Sequence, residues 1–180
     1  EISCSLVGSE MCIRDRCSNY YQDDGMIVTQ ARQLGYKGVF LGADGWAGIV
    51  GGDQDYASTA DLEGCFYCSS FVASNPDEKV KKFIEDFKAE YNEAPTNFNA
   101  LAYDAAAIVT EGLKAAEDKK LEPGSDDYKA AVIEGIKNCK VEGVTGTISY
   151  SGTGDPQKST LVITFKDGKE TIFDTIEPEA

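Results

Sequence analysis

Cys65, Cys68 and Cys139, the loop around Asp44 and the complete lack of histidine set the first limits on what this chain can do. Without imidazole there is no Ser-His-Asp or Cys-His nucleophile pair, no histidine general base and no histidine-containing metal site. Cys65 and Cys68 form a C-x-x-C, but Gly64–Phe71 reads as a β-rich run. Residues three apart on a strand face opposite ways, whereas redox and zinc versions place both thiols on a turn or helix start. The three thiolates would need an added acid ligand to hold zinc. A disulfide between Cys139 and one of the other two suits an exported protein; two buried thiols and one exposed is the alternative. Asp55, Asp61 and the acids of 117–127 lack calcium-loop spacing and read as solvated surface, and no glycine-rich phosphate loop occurs. No metal or cofactor is expected. What remains is the loop Gly42–Trp46. Its Asp44 could pair with a ligand ammonium and its glycines would admit a close backbone approach. Tyr20 and Tyr21 could form an aromatic wall beside it. By local sequence alone, Asp44 reads as a turn residue bonded to its own backbone and the tyrosines as packing.

The elements that would position that loop alternate. Met26, Ile27, Ala31 and Leu34 recur at helical spacing across Gln22–Leu34, with Gly35 as a stop, and Gly38–Leu41 is a short buried strand ending in the loop. A helical turn at Ala60–Glu63 precedes the run Gly64–Phe71. Asn75-Pro76-Asp77-Glu78 predicts an Asn-capped helix whose face is Val80, Phe83, Ile84, Phe87 and Tyr91. Leu101, Ala105, Ile108, Val109 and Leu113 mark a more deeply buried Ala-rich helix, and Ser125 or Asp126 caps a third helix through Tyr128, Val132 and Ile136. Gly143–Tyr150 reads as one strand, and Asp167-Gly168 between two β runs as a tight hairpin. This alternation predicts an α/β fold with doubly wound parallel sheets in three layers. Such a domain usually opens with a strand, and here a helix comes almost first.

The 180 residues, 42% hydrophobic, suffice for one full domain or two partial ones. The formal net charge of −14 disfavours nucleic acid and anionic lipid as partners. The longest apolar runs, such as Ala105–Thr110, fall far short of the roughly 20 residues that span a bilayer. Glu1–Arg16 shows neither period nor signal-peptide layout. Within it, Ser5-Leu6-Val7-Gly8-Ser9-Glu10-Met11-Cys12-Ile13-Arg14-Asp15 resembles a translated sequencing adapter. Residues 1–16 are therefore read as an unstructured artefact.

Asn19-Tyr20-Tyr21-Gln22-Asp23-Asp24-Gly25, Gln30-Ala31-Arg32-Gln33-Leu34-Gly35 and Leu41-Gly42-Ala43-Asp44-Gly45 resemble, in order, the second lobe of branched-chain-amino-acid-type periplasmic binding proteins. Phe98-Asn99-Ala100-Leu101-Ala102-Tyr103-Asp104-Ala105 looks like that family's interior helix. Val141–Ile148 with Gly154-Asp155-Pro156 looks like its late strand and turn. The resemblance implies the C-terminal half of a two-lobe fold. Residues 17–70 would belong to lobe 2, 71–158 to lobe 1, and 159–180 would return to lobe 2. It implies a ligand-capturing subunit of an ABC importer and no enzyme: an extracytoplasmic monomer, periplasmic or lipid-anchored, whose partners are an amino acid and the membrane permease. Asp44 and Tyr20 match the ammonium binders and Phe98 the contact to the ligand side chain, with Trp46 and Tyr103 as further cleft wall. Asp44 stands where branched-chain binders often carry Glu, and the family's α-carboxylate clamp lies upstream of these residues. A ligand-sensing receptor domain would use the same fold, and an α/β enzyme built on Asp44 or a cysteine is the remaining rival.

Overall fold

The structure, a computed structural model, describes residues 14–178 apart from 52, 53, 151 and 153. They divide into two compact units: one runs up to Ser69 and includes Val162–Asp174, the other comprises Ser70–Leu161 with the residues from Thr175.

The first unit is built on β1 (Arg14–Cys17), β2 (Val39–Gly42), β3 (Phe66–Ser69), β7 (Thr160–Lys166) and β8 (Lys169–Ile176), with α1 (Tyr21–Gln33) and the short α2 (Thr59–Leu62) between the early strands. The strands form one five-stranded sheet of order β1-β2-β3-β7-β8. β1, β2 and β3 are parallel, with Cys17 opposite Gly42 and Gly42 opposite Tyr67. Arg14–Arg16 therefore belong to a strand, which corrects the expectation that 1–16 is unstructured; residues 1–13 lie outside the described residues. The ladder uses backbone groups, and on this edge strand only Cys17 is buried, so three charged side chains are tolerated. The opening strand that the sequence pattern lacked is thus present in residues without strand-like patterning. The hairpin β7–β8 turns at Asp167-Gly168, where both φ values are positive, 52° and 74°.

Side chains from the turn after β2, from β3 and from β7 meet in one aromatic column, Trp46 over Tyr67 at 6.4 Å and Tyr67 over Phe165 at 5.8 Å. Arg32 ties the end of α1 to the loop that follows it and to α2: its guanidinium donates to the carbonyls of Tyr36, Gly38 and Asp61 at 2.8–2.9 Å and lies 5.1 Å from the Phe40 ring centroid. α1 does not bury the stripe expected from Met26, Ile27, Ala31 and Leu34. Met26, Ile27 and Leu34 are exposed, and the inward face is Asp24, Gly25 and Val28. Gly25 is required there, because a Cβ would lie 2.7 Å from the Tyr56 Cβ. An inward carboxylate breaks the apolar period, which is why the pattern misassigned the face.

The second unit holds α3 (Glu78–Tyr91), α4 (Asn97–Asp118), α5 (Asp126–Lys137) and a three-stranded sheet made of β4 (Lys140–Gly143), β5 (Gly146–Tyr150) and β6 (Pro156–Gln157) in that order. This sheet is antiparallel, so the parallel expectation holds for β1–β3 and not here. The α3 cap is Asp77, whose carboxylate accepts from Lys79 N, while Asn75 accepts from Asp77 N in the turn before it. α4 and α5 approach through small residues: a Cβ on Gly135 would fall 2.7 Å from that of Ala115. α4 buries Ala100, Asp104, Ile108, Gly112 and Ala116, leaving Val109 and Leu113 exposed. Gly143–Tyr150 is two strands and a turn because Asp104 organises Val144 and Thr145. The buried carboxylate accepts from Val144 N and Thr145 N at 2.8 Å and from the Thr145 hydroxyl at 2.6 Å. That hydroxyl in turn accepts from Lys158 Nζ at 2.7 Å. Gly143 has no room for a Cβ, which would run into the Asp104 carboxylate.

Three hydrogen bonds to one buried charge make Asp104→Ala costly: a loss of about 3 kcal/mol in urea-unfolding stability is expected, while the exposed control Glu90→Ala should leave stability nearly unchanged. In the first unit, burial raises the Glu170 carboxyl, only partly offset by the Tyr67 hydroxyl that donates to it at 2.9 Å. A raised folded-state value means that Glu170 favours folding below its unfolded pKa and ceases to as pH rises through its folded one. Glu170→Gln should therefore melt above the parent at pH 7, the gap closing as pH falls into the carboxylate range.

Candidate functional site

Asp24, fully buried on α1, holds the candidate site of the first unit together. Its two oxygens accept from Asn19 Nδ2 at 3.1 Å and from Trp46 Nε1 at 2.7 Å. One bond reaches the segment that carries Tyr20, the other the turn that carries Asp44. Gly45 closes the gap between them, since a Cβ there would lie 2.6 Å from the Asn19 carbonyl oxygen and 3.4 Å from Tyr20 Cα. Tyr20 occupies the cap position of α1, where its carbonyl accepts from Asp23 N and Asp24 N, both at 3.1 Å. Its side chain is 61% exposed.

Asp44 opens a short 3-10 turn, Asp44–Trp46, directly after β2. Its carbonyl accepts from Ala47 N, but its exposed carboxylate takes no hydrogen bond among the described residues. The turn is closed by backbone groups, so the Asp44 carboxylate is free for another partner. Trp46, read as cleft wall, is 0% exposed. The correction has a simple cause: the indole N–H is satisfied by Asp24 and the ring stacks inward on Tyr67, so Trp46 supports the Asp44 turn from beneath. Gly42 cannot bear a side chain because Trp46 lies against it.

Phe98 and Tyr103 belong to the second unit. Thr96 and Asn99 form a reciprocal capping box that fixes the start of α4, and Phe98 follows 47% exposed. Beside it, Asn97 is buried with neither amide atom hydrogen-bonded among the described residues. Tyr103 lies five residues on, about 140° round the helix. It packs against Phe83 at 5.1 Å, so the structure does not bring Phe98 and Tyr103 to one surface. The same unit has a cavity of about 240 Å³ lined by Ser70, Lys79, Thr145 and Ser159 among others.

The C-x-x-C cysteines face opposite ways, Cys65 buried just before β3 and Cys68 exposed on it. Among the described residues Cys17, Cys65, Cys68 and Cys139 are free thiols, so Cys139 pairs with neither Cys65 nor Cys68. Burial pushes the Cys17 thiol up to about 12, with the Asp24 and Asp15 charges adding to it. Burial also raises Cys65, against the opposing influence of a backbone hydrogen bond from Phe40 and of Arg32. Such thiols are unreactive. Among the described residues no cluster of three cysteine, aspartate or glutamate side chains could hold a metal ion.

A parallel sheet with an unspent carboxylate just beyond the carboxyl end of β2 is the arrangement by which open α/β sheets receive ligands. The family model described as periplasmic binding protein matches residues 17–169. The chain belongs to this family. These are solute-binding proteins and not enzymes. This binding-protein chain is 26% identical over 136 residues to the leucine-, isoleucine-, valine-, threonine- and alanine-binding protein of Pseudomonas aeruginosa, covering 76% of the present chain and 33% of that relative. It superposes on the leucine-binding protein LivK of Thermotoga maritima with a TM-score of 0.69 at 31% identity, covering 92% of this chain and 45% of that one. With the branched-chain amino acid transporter binding protein LivJ of Streptococcus pneumoniae, in complex with isoleucine, the TM-score is 0.74 at 25% identity, covering 99% and 49%. The chain thus spans a third of the curated relative and about half of the solved structures. Its fold is the α/β fold of type I binding proteins over that half.

Two outcomes check the site. Asp24→Ala should red-shift the emission of Trp46, the single tryptophan, and lower stability by about 2 kcal/mol or more through loss of the charged hydrogen bonds. Alkylation at neutral pH, mapped by mass spectrometry, should label Cys68 readily and reach Cys17 and Cys65 only on unfolding.

Proposed function

We propose that this chain is part of an extracytoplasmic solute-binding subunit that captures a branched-chain or similar amino acid and hands it to an ABC permease. The observation that carries the reading is the Asp44 carboxylate, exposed and without a hydrogen bond among the described residues, beside exposed Tyr20 at the end of a parallel strand. An α-ammonium brings three donors and a positive charge, and a free carboxylate flanked by an aromatic face meets both. Phe98, exposed at the capped start of α4, is the contact proposed for the ligand's aliphatic side chain. Trp46 and Tyr103 are left out of the ligand shell, the first because it is buried and the second because it faces Phe83. The relatives named for leucine and isoleucine support an aliphatic amino acid. In this reading residues 17–70 and 159–180 are portions of one lobe and 71–158 of the other. The subunit acts as a monomer, in the periplasm or lipid-anchored at the cell surface, and a ligand touching both lobes favours the closed state by its differential affinity.

The groups proposed here bind only the ammonium and the side chain. Calorimetric titration of the 180-residue chain with leucine or isoleucine should therefore show no micromolar binding, and such binding would defeat the division of the site. In a protein of the relatives' full length carrying this chain, Asp44→Ala should weaken amino-acid binding by at least the roughly 1.5–3 kcal/mol of a hydrogen bond to a charged group. An unchanged dissociation constant would remove Asp44 from the site.

A further inference from the structure

Unit two carries an aromatic groove of about 600 Å³ that the amino-acid site does not use. Phe83, Phe87 and Tyr91 succeed one another at four-residue spacing on α3, and Tyr103 of α4 faces them. The ring centroids are 5.8 Å apart for Phe83–Phe87, 4.6 Å for Phe87–Tyr91 and 5.1 Å for Phe83–Tyr103. Phe83 is the inner end of the row and also packs on Phe71 in the core. The outer end is open: Tyr91 is 62% and Tyr103 59% exposed. Two carboxylates line the same groove, Asp86 and Glu93, and no described lysine or arginine does. Exposed Lys82 pairs with Asp86 at 2.9 Å, whereas Glu93 makes no ion pair among the described residues.

A stripe of aromatics at helical spacing is ordinarily a packing face. Here, however, a purely apolar cover would strip water from the Glu93 carboxylate without replacing it, which is unfavourable. The occupant that satisfies both the ring faces and the acidic rim is positively charged and weakly hydrated. We propose that this groove binds small organic cations of the quaternary ammonium class, the methyl groups lying on the faces of Tyr91 and Tyr103 and the charge near Glu93. A quaternary ammonium has no N–H to satisfy and presents only methyl groups to the rings, while its charge needs nothing more directional than a nearby carboxylate. The surplus of acids over bases in the chain, 31 against 17, attracts cations over a longer range in the same direction.

Choline and its uncharged isostere 3,3-dimethyl-1-butanol separate charge recognition from simple greasiness. Titrated into the 180-residue chain and followed by the ring resonances of Tyr91 and Tyr103, choline should give saturable shifts, with the isostere at least about tenfold weaker. Glu93→Gln, on an exposed turn, should weaken choline severalfold and reduce the effect of added salt. Tyr103→Leu should weaken choline while leaving the isostere almost unchanged. Equal binding of choline and the isostere would overturn the proposal in favour of an apolar docking face, and so would the absence of any saturable shift. Retention of full choline affinity by both variants would equally place the cation elsewhere.

Discussion

A carboxylate fully withdrawn from water survives only if its oxygens are satisfied, and Asp24 meets that condition with two donors drawn from separate stretches of chain. The requirement orders everything around it. Asn19 must approach from the segment after β1, Trp46 from the turn after β2, and α1 must present Asp24 inward at the expense of its apolar stripe. With the indole pinned, Gly42 and Gly45 have no room for side chains, and the Asp44 turn is pressed against the Tyr20 backbone. Removing either donor would leave the charge buried and partly unpaired, so the cost of breaking the arrangement exceeds the strength of any one bond.

The second unit repeats the device with different parts. Asp104 sits on the buried face of α4 and gathers the Val144–Thr145 turn, while Thr145 relays to Lys158, whose ammonium is disfavoured by burial and supported by the Asp104 charge. In each unit a helix supplies an inward carboxylate that fixes a turn between strands, and in each a glycine is excluded from substitution by that contact. Apolar burial gives these units their mass of stabilisation, but it is non-directional. The buried acids supply the directionality, and the side chains with free chemistry project from the elements they fix.

That division bears on the surface proposed for amino-acid capture. Asp44 and Tyr20 are exposed, yet their backbones are held by hydrogen bonds and close contacts within the first unit. On that proposal little conformational freedom would be lost on binding, so contact energy would not be spent on ordering the site. Phe98 has the same advantage through the Thr96–Asn99 capping box.

Local signals in the sequence determined the elements whose physics is local. The cap at Ser125, the glycine stop after α1 and the Asp-Gly hairpin each act over four or five residues, and the strand, turn and helix alternation with its family likeness yields the α/β class. Asp44 and Tyr20 were legible as candidates because of where they fall relative to β2 and α1. Tertiary structure alone decided the rest. The inward face of α1 depends on a tryptophan 22 residues away, and the break between β4 and β5 on an aspartate about 40 residues away. Arg14–Cys17 becomes a strand only because β2 offers an edge. Trp46 passes from cleft wall to core because Asp24 waits for its indole N–H. A buried polar group takes its place from the partner it finds across the fold, and no period in the chain records that partner.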